Sequence, residues 1–111
     1  MIELLFKFLI GHALADFVLQ GDTMALFKSR HHTSAEGLEN ISSFPAWYYW
    51  MTAHTLIHGG IVFFITGSWI LGLAEVILHW VIDYSKCEGW INFHQDQALH
   101  LTCKIGYLFL L

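Results

Sequence analysis

The sequence predicts an all-α protein, a four-transmembrane-helix up-down bundle with metal ligands on all four helices. Three observations predict it. Apolar residues make up 56% of the 111-residue chain and charged residues only 13%, against roughly 25% charged in ordinary globular domains. From Phe44 to Ile82 the only ionisable residues apart from tyrosine are His54, His58, Glu75 and His79, which leaves room for two spans of about 20 residues each. Finally, four pairs of metal-type ligands recur at i,i+4 spacing in four separate apolar segments: His12/Asp16, His54/His58, His79/Asp83 and Asp96/His100. Residues four apart lie on one helix face, one turn from each other.

The length fits a single domain over residues 1–111. Helix 1 is expected from about Ile2 to Gln20, stopped by Gly21. It carries His12 and Asp16 and lacks a positive leader and a small-residue cleavage site, so it reads as part of the mature protein rather than a signal peptide. Residues 21–44 are the one extended polar stretch, with Asp22 placed to cap a short interfacial helix whose Met24, Ala25, Leu26 and Phe27 would face lipid. Helix 2 is expected over about 45–66, opening at Pro45, a favoured first-turn residue. Its cluster Trp47, Tyr48, Tyr49 and Trp50 reads as an interfacial aromatic belt. Gly67-Ser68 is a very short turn, so helices 2 and 3 are antiparallel neighbours, with helix 3 over about 69–85. After a loop containing Lys86, Glu88, Gly89, Asn92 and His94, helix 4 is expected over about 95–111.

In an up-down bundle the ends of helices 1 and 3 share a side with the starts of helices 2 and 4. His12/Asp16 and His79/Asp83 lie near the ends of their helices, Asp96/His100 at the start of theirs, and His54/His58 near the middle of helix 2. All four pairs therefore converge toward one end of the bundle, within roughly 20 Å of it at about 1.5 Å per residue. The loops on that side hold Lys28, Arg30 and Lys86, and the positive-inside rule puts the site side in the cytoplasm.

Five histidines and three aspartates exceed the needs of one ion, and fit two divalent ions about 3.5–4 Å apart. Mixed nitrogen and oxygen donors suit zinc first, with manganese or iron as alternatives. Some of the eight can instead be outer partners that orient a ligating histidine, as Asp16 or Asp83 would for a neighbouring helix. A hydrogen-bonded polar core is the competing reading of the same pattern. Glu75 lies one turn below His79, and Lys104 one turn below His100. They are candidates for a buried ion pair, and Glu75 is also a candidate ligand or general base. Lys86, just beyond Asp83, is placed to hold a substrate anion or to snorkel, and Gln20 to orient a ligand or substrate at the mouth.

His31 and His32, being adjacent, do not share a face and read as solvated loop; His94 is close enough to Asp96 to be considered for the site. Cys87 and Cys103 read as free thiols, with Cys87 a minor candidate ligand. The recurrent glycines read as close helix packing and Glu3/Lys7 as a structural surface pair. A net charge of −4 without a basic cluster gives no nucleic-acid partner.

The segments His12-Ala-Leu-Ala-Asp16-Phe-Val-Leu-Gln20, His79-Trp-Val-Ile-Asp83-Tyr-Ser-Lys86 and Asp96-Gln97-Ala-Leu-His100 resemble those of an uncharacterised family of small bacterial and phage integral membrane proteins, with HxxxDFxLQ, HxxxDxxK and DQxxH elements. That family is similar to a set of inner-membrane proteins proposed to be metal-dependent hydrolases. The resemblance implies a bacterial inner-membrane location and a hydrolytic role.

Together these readings lead to a membrane-embedded, dinuclear metal-dependent hydrolase acting on an amphiphilic, lipid-phosphate-like substrate, with possible homo-oligomers. A non-enzymatic metal carrier or sensor is the alternative. A b-type haem protein is a third, disfavoured because haem has no use for three aspartates at ligand spacing.

Overall fold

The computed structural model describes residues 1–31 and 46–111. Among these it contains helix α1 (Ile2–Ala13), continued by a π-helical turn (Leu14–Val18), then α2 (Asp22–Phe27), α3 (Trp47–Thr66), α4 (Trp69–Cys87) and α5 (Phe93–Leu110). The segment 32–45, which holds His32 and the expected helix start at Pro45, lies outside the described residues.

Local chemistry explains most of the boundaries. Gly67 takes the left-handed conformation (φ 71°) that ends α3, a conformation that glycine adopts without a Cβ penalty. The next residue, Ser68, caps α4 through its side chain, which accepts from the Leu71 amide. At α5, Asn92 and Gln95 form a reciprocal capping box. Gln95 is thus the third residue of the helix, and α5 begins at Phe93 rather than near Gln95. The first helix departs most from expectation: instead of a regular helix to Gln20, its ladder widens at Leu14, where Leu19 N–H bonds the Leu14 carbonyl at 2.8 Å. π-turns of this kind recur at functional sites, and this one carries Asp16.

The membrane-spanning expectation is overturned: among the described residues no helix is long and apolar enough to cross a membrane. The regular α1 has 12 residues, and the longer helices carry on one face the same histidines and charged groups that drew attention in the sequence, which lowers their apolarity. The membrane location, the cytoplasmic side assigned to the site and the lipid-facing role of α2 fall with it. Four long helices alternate in direction, and the short α2 packs on α3.

Glycines let three of the helices approach closely. A Cβ on Gly59 would stand 2.3 Å from Val76 Cγ2 and 2.7 Å from the Gly72 carbonyl oxygen, and one on Gly11 would stand 2.5 Å from Ile61 Cγ2. The α3–α4 and α1–α3 crossings therefore depend on these hydrogens. At one end of the bundle Phe8, Val62, Leu71 and Tyr107 form an apolar core, with Leu4, Ile65, Cys103 and Leu108 against it. Apart from Ala15 and Met51, the rest of the described interior is polar. Among the described residues six apolar side chains are buried, against twelve polar or charged ones; large apolar side chains such as Phe6, Phe64, Trp69 and Phe109 lie exposed. Apolar packing cannot by itself hold such an interior, so its charges have to be paired.

Candidate metal centre

The polar interior is built around Asp16. This residue is buried within the π-turn Leu14–Val18, and its Oδ1 lies 2.9 Å from His58 Nε2, 3.4 Å from His54 Nε2 and 3.9 Å from His79 Nε2. His54 and His58 come from one face of α3 and His79 from α4. The Nε2 atoms of His54 and His79 face each other at 3.3 Å. Two groups of donors can hold a metal ion: Asp16, His54, His58 and His79, and beside them His79, Asp83 and His100, in each of which the ligand atoms lie within 4.8 Å of one another.

The first group fits a metal on geometry. A regular tetrahedron with arms of ~2.0–2.1 Å has edges of about 3.3–3.4 Å. The separations of Asp16 Oδ1 from the three histidines and of His54 from His79 run from 2.9 to 3.9 Å. It also fits on protons. His79 Nδ1 lies 3.1 Å from the Glu75 carboxylate, an arrangement that puts the proton on Nδ1 and leaves the Nε2 lone pair facing His54 and Asp16. Burial holds His58 at about 3, with the His79 and His54 rings adding to the effect against the Asp16 hydrogen bond. Burial likewise holds His79 at about 4 against Glu75 and Asp83. Both are thus neutral imidazoles, the form that ligates. Burial opposes the charge on Asp16, but hydrogen bonds from His54, His58 and Gln97 outweigh it and keep the carboxyl well below the ordinary range.

Around this group lies a shell that fixes it. Gln97 Nε2 donates to Asp16 Oδ2 at 3.0 Å and to Asp96 Oδ2 at 3.1 Å, and its Oε1 accepts from His12 Nε2 at 3.1 Å. Asp16 therefore offers Oδ1 to the cluster while Oδ2 is held from outside, an arrangement typical of outer-shell support. On the far side Glu75 accepts from Lys104 and, at 2.7 Å, from the Tyr107 hydroxyl. Burial works against ionising Glu75, yet His79 and Lys104 bring it down to about 2. Burial and the Glu75 charge push the Tyr107 phenol up.

The second group has a different character. His100 Nε2 lies 3.2 Å from Asp83 Oδ1 and 3.3 Å from Asp96 Oδ1. Burial would lower its pKa, but the two carboxylates raise it to about 9, so this imidazole is protonated at neutral pH. Asp83 Oδ2 meets the Lys28 ammonium at 2.5 Å and lies 3.2 Å from His54 Nε2. Lys86 Nζ is 3.6 Å from Asp96 Oδ2 with its side chain 26% exposed. Burial opposes its charge, and the neighbouring aspartates raise it above the ordinary lysine value.

A family model described as a protein of unknown function, DUF3307, matches residues 4–109. The chain belongs to the DUF3307 family. No curated protein and no solved structure matches it.

Seven of the eight ligand candidates of this DUF3307 chain, all but His12, are buried in one region, and His12 lies half-buried at its edge. Asp16, His54, His58, His79, Asp83 and His100 fall in the two groups, while His12 and Asp96 stand just outside. Glu75, considered as a base, has both oxygens engaged and supports His79 from behind. Lys86 is at the rim, as placed by its position after Asp83. Gln20 donates to the Asp16 backbone carbonyl at 3.1 Å. His94 is exposed beside Phe93, and Cys87 and Cys103 are free thiols outside both groups.

Three residues escaped sequence reasoning. Gln97 had a signal, its position beside Asp96 one turn before His100. Tyr107 also had one, three residues after Lys104 on the same face. Lys28 had none, because it belongs to a polar segment whose path no periodicity reveals.

Proposed function

We propose that this protein is a metal-dependent hydrolase whose principal ion is held by Asp16, His54, His58 and His79. The observation that supports it is the convergence of three imidazole nitrogens and one carboxylate oxygen at spacings suited to a tetrahedral ion. The nitrogen-rich donor set suits zinc, with manganese or iron(II) as alternatives. A divalent ion there that took a water as a fifth ligand would lower the pKa of that water toward about 7 and polarise the bond to be cut.

The chain's own residues supply the rest. Glu75 fixes the tautomer of His79, and Gln97 fixes the orientation of Asp16. His100, protonated between Asp83 and Asp96, is a proton donor for a leaving group. Lys86 at the rim favours an anionic substrate, so a phosphoester or pyrophosphate is the preferred class. A second ion, expected from the sequence, would have to draw on Asp83 and His100 beside His79 and displace the proton that His100 holds.

The alternative of a metal carrier or sensor is favoured by one observation. His54, His79, Asp83, Asp96 and His100 are each no more than 1% exposed, and closure suits retention of an ion. Turnover separates the two. Protein loaded with zinc, manganese or iron(II) would be assayed against phosphomonoesters, phosphodiesters and pyrophosphates, together with carboxylic esters and amides. The hydrolase reading expects multiple turnovers that Asp16→Ala and His54→Ala abolish. Activity that survives both changes, or a loaded protein that turns over none of the panel, contradicts it.

A further inference from the structure

We propose that the Lys28 ammonium is the second cation of this centre, so that the site takes one divalent ion and a lysine stands where another would bind. The inference rests on the metal-binding reading above and deepens it. Lys28 is buried, with 3% of its side chain exposed, and its Nζ is 2.5 Å from Asp83 Oδ2. That carboxylate belongs to the second donor group, and its Oδ2 lies 3.2 Å from His54 Nε2 and 3.7 Å from His79 Nε2. A metal bound through Asp83 Oδ2 and the Lys28 ammonium would be like charges competing for one oxygen.

Ligand arithmetic agrees. The two donor groups have His79 in common, and only its Nε2 is available because Nδ1 is turned to Glu75. One lone pair serves one ion. Once His79 is given to Asp16, His54 and His58, the second group keeps Asp83 and His100, and the His100 Nε2 is already directed between two carboxylates. Charge agrees as well. The buried carboxylates Asp16, Glu75, Asp83 and Asp96 face the ammonium groups of Lys28, Lys86 and Lys104. One divalent ion more than balances that difference even before the protonated His100 is counted, and another would add uncompensated charge to a closed interior, where desolvation is costly.

Lys28 is also held in place. It follows α2 directly, and two residues later Arg30 makes a bidentate ion pair with Glu88 at the end of α4. His31 Nε2 adds a contact to the same carboxylate at 3.1 Å. This outer clasp fixes the inner lysine against Asp83, so that a segment outside the ligand helices completes the centre.

The test is metal stoichiometry by elemental analysis after equilibration with excess zinc, with X-ray absorption to detect a neighbouring metal. Wild type is expected to hold one equivalent and show no metal–metal shell. Lys28→Gln removes the charge and is expected to hold two equivalents, with a metal–metal distance of about 3.5–4 Å; Lys28→Arg keeps the charge and stays at one. Two equivalents in wild type, or one in a folded Lys28→Gln, overturns the proposal. Zero in wild type and in both variants overturns the centre itself. Should Lys28→Gln not fold, the wild-type spectrum decides alone: a metal–metal shell at saturating zinc overturns the proposal, and its absence supports it.

Discussion

The two ends of this bundle are built on opposite principles from the same helices. At one end Phe8, Val62, Leu71 and Tyr107 pack as an ordinary apolar core. At the other, the same elements bury Asp16, His54, His58, His79, Asp83, Asp96 and His100 against one another. The apolar end is stabilised by removal of carbon surface from water and is indifferent to what is bound. The polar end gathers donors whose mutual repulsion and desolvation work against folding unless protons, ammonium groups or an ion satisfy them. The lesson is a division of labour along the helix axes: one end holds the helices together, and the other presents ligands.

Glu75 and Lys104 join the two ends, and breaking their pair should have the largest effect. Lys104→Met leaves a buried carboxylate beside Tyr107 and is expected to cost about 3–5 kcal/mol in denaturant unfolding, and adding Glu75→Gln should recover much of it. An additive double variant would show that the pair is not a unit. Phe8→Ala is expected to cost a similar amount, about 3–5 kcal/mol by cavity formation, while leaving metal stoichiometry untouched. Loss of the ion from a folded Phe8→Ala would mean that the two ends are not separable.

Chelation addresses the polar end alone. For a site loaded at a hundredfold above its dissociation constant, stripping the ion should lower stability by ~2.7 kcal/mol. Hydrogen exchange should then rise in the Leu14–Val18 turn, around His54 in α3 and around His79 in α4, and not around Val62 or Leu71. Uniform loss of protection would contradict the division.

The metal-free protein should also be most stable near pH 6.5. His79 and His58 have folded values of about 4 and about 3, below their ordinary 6.5. The unfolded chain therefore takes up protons that the folded one refuses, and stability falls as pH drops from 6.5 toward 3. His100, raised to about 9, contributes fully below 6.5 and is lost as pH climbs toward 9. A thermal-melting profile without a maximum between these limits would contradict the assignment of charges. The smallest effect belongs to the surface: Lys7, 2.7 Å from Glu3 and half-exposed, should cost at most about 0.5 kcal/mol on replacement by Ala.

Much of the polar end was legible because i,i+4 spacing forces two ligands onto one face, and alternating helix direction forces four such faces toward one end. The helix stops at Gly67 and Ser68 were legible for the same local reason, a left-handed residue followed by a cap. What misled was composition. A high apolar fraction suggested spans, but the polar stripes lower the apolarity of each helix, and no described helix is long and apolar enough to cross a membrane. The π-turn around Asp16 was not legible, since it keeps the sequence spacing and changes only the hydrogen-bond ladder. Nor was Lys28, whose place beside Asp83 depends on how a connecting segment folds back over fifty-five positions of sequence.

The central claim is that Asp16, His54, His58 and His79 bind a transition-metal ion, and elemental analysis of the purified, folded protein after removal of loosely bound metal tests it most directly. The account predicts about one equivalent in wild type and none in Asp16→Ala or His54→Ala variants that keep their helical circular dichroism. A folded wild-type protein that holds no transition metal, even after exposure to zinc, manganese and iron(II), would contradict it.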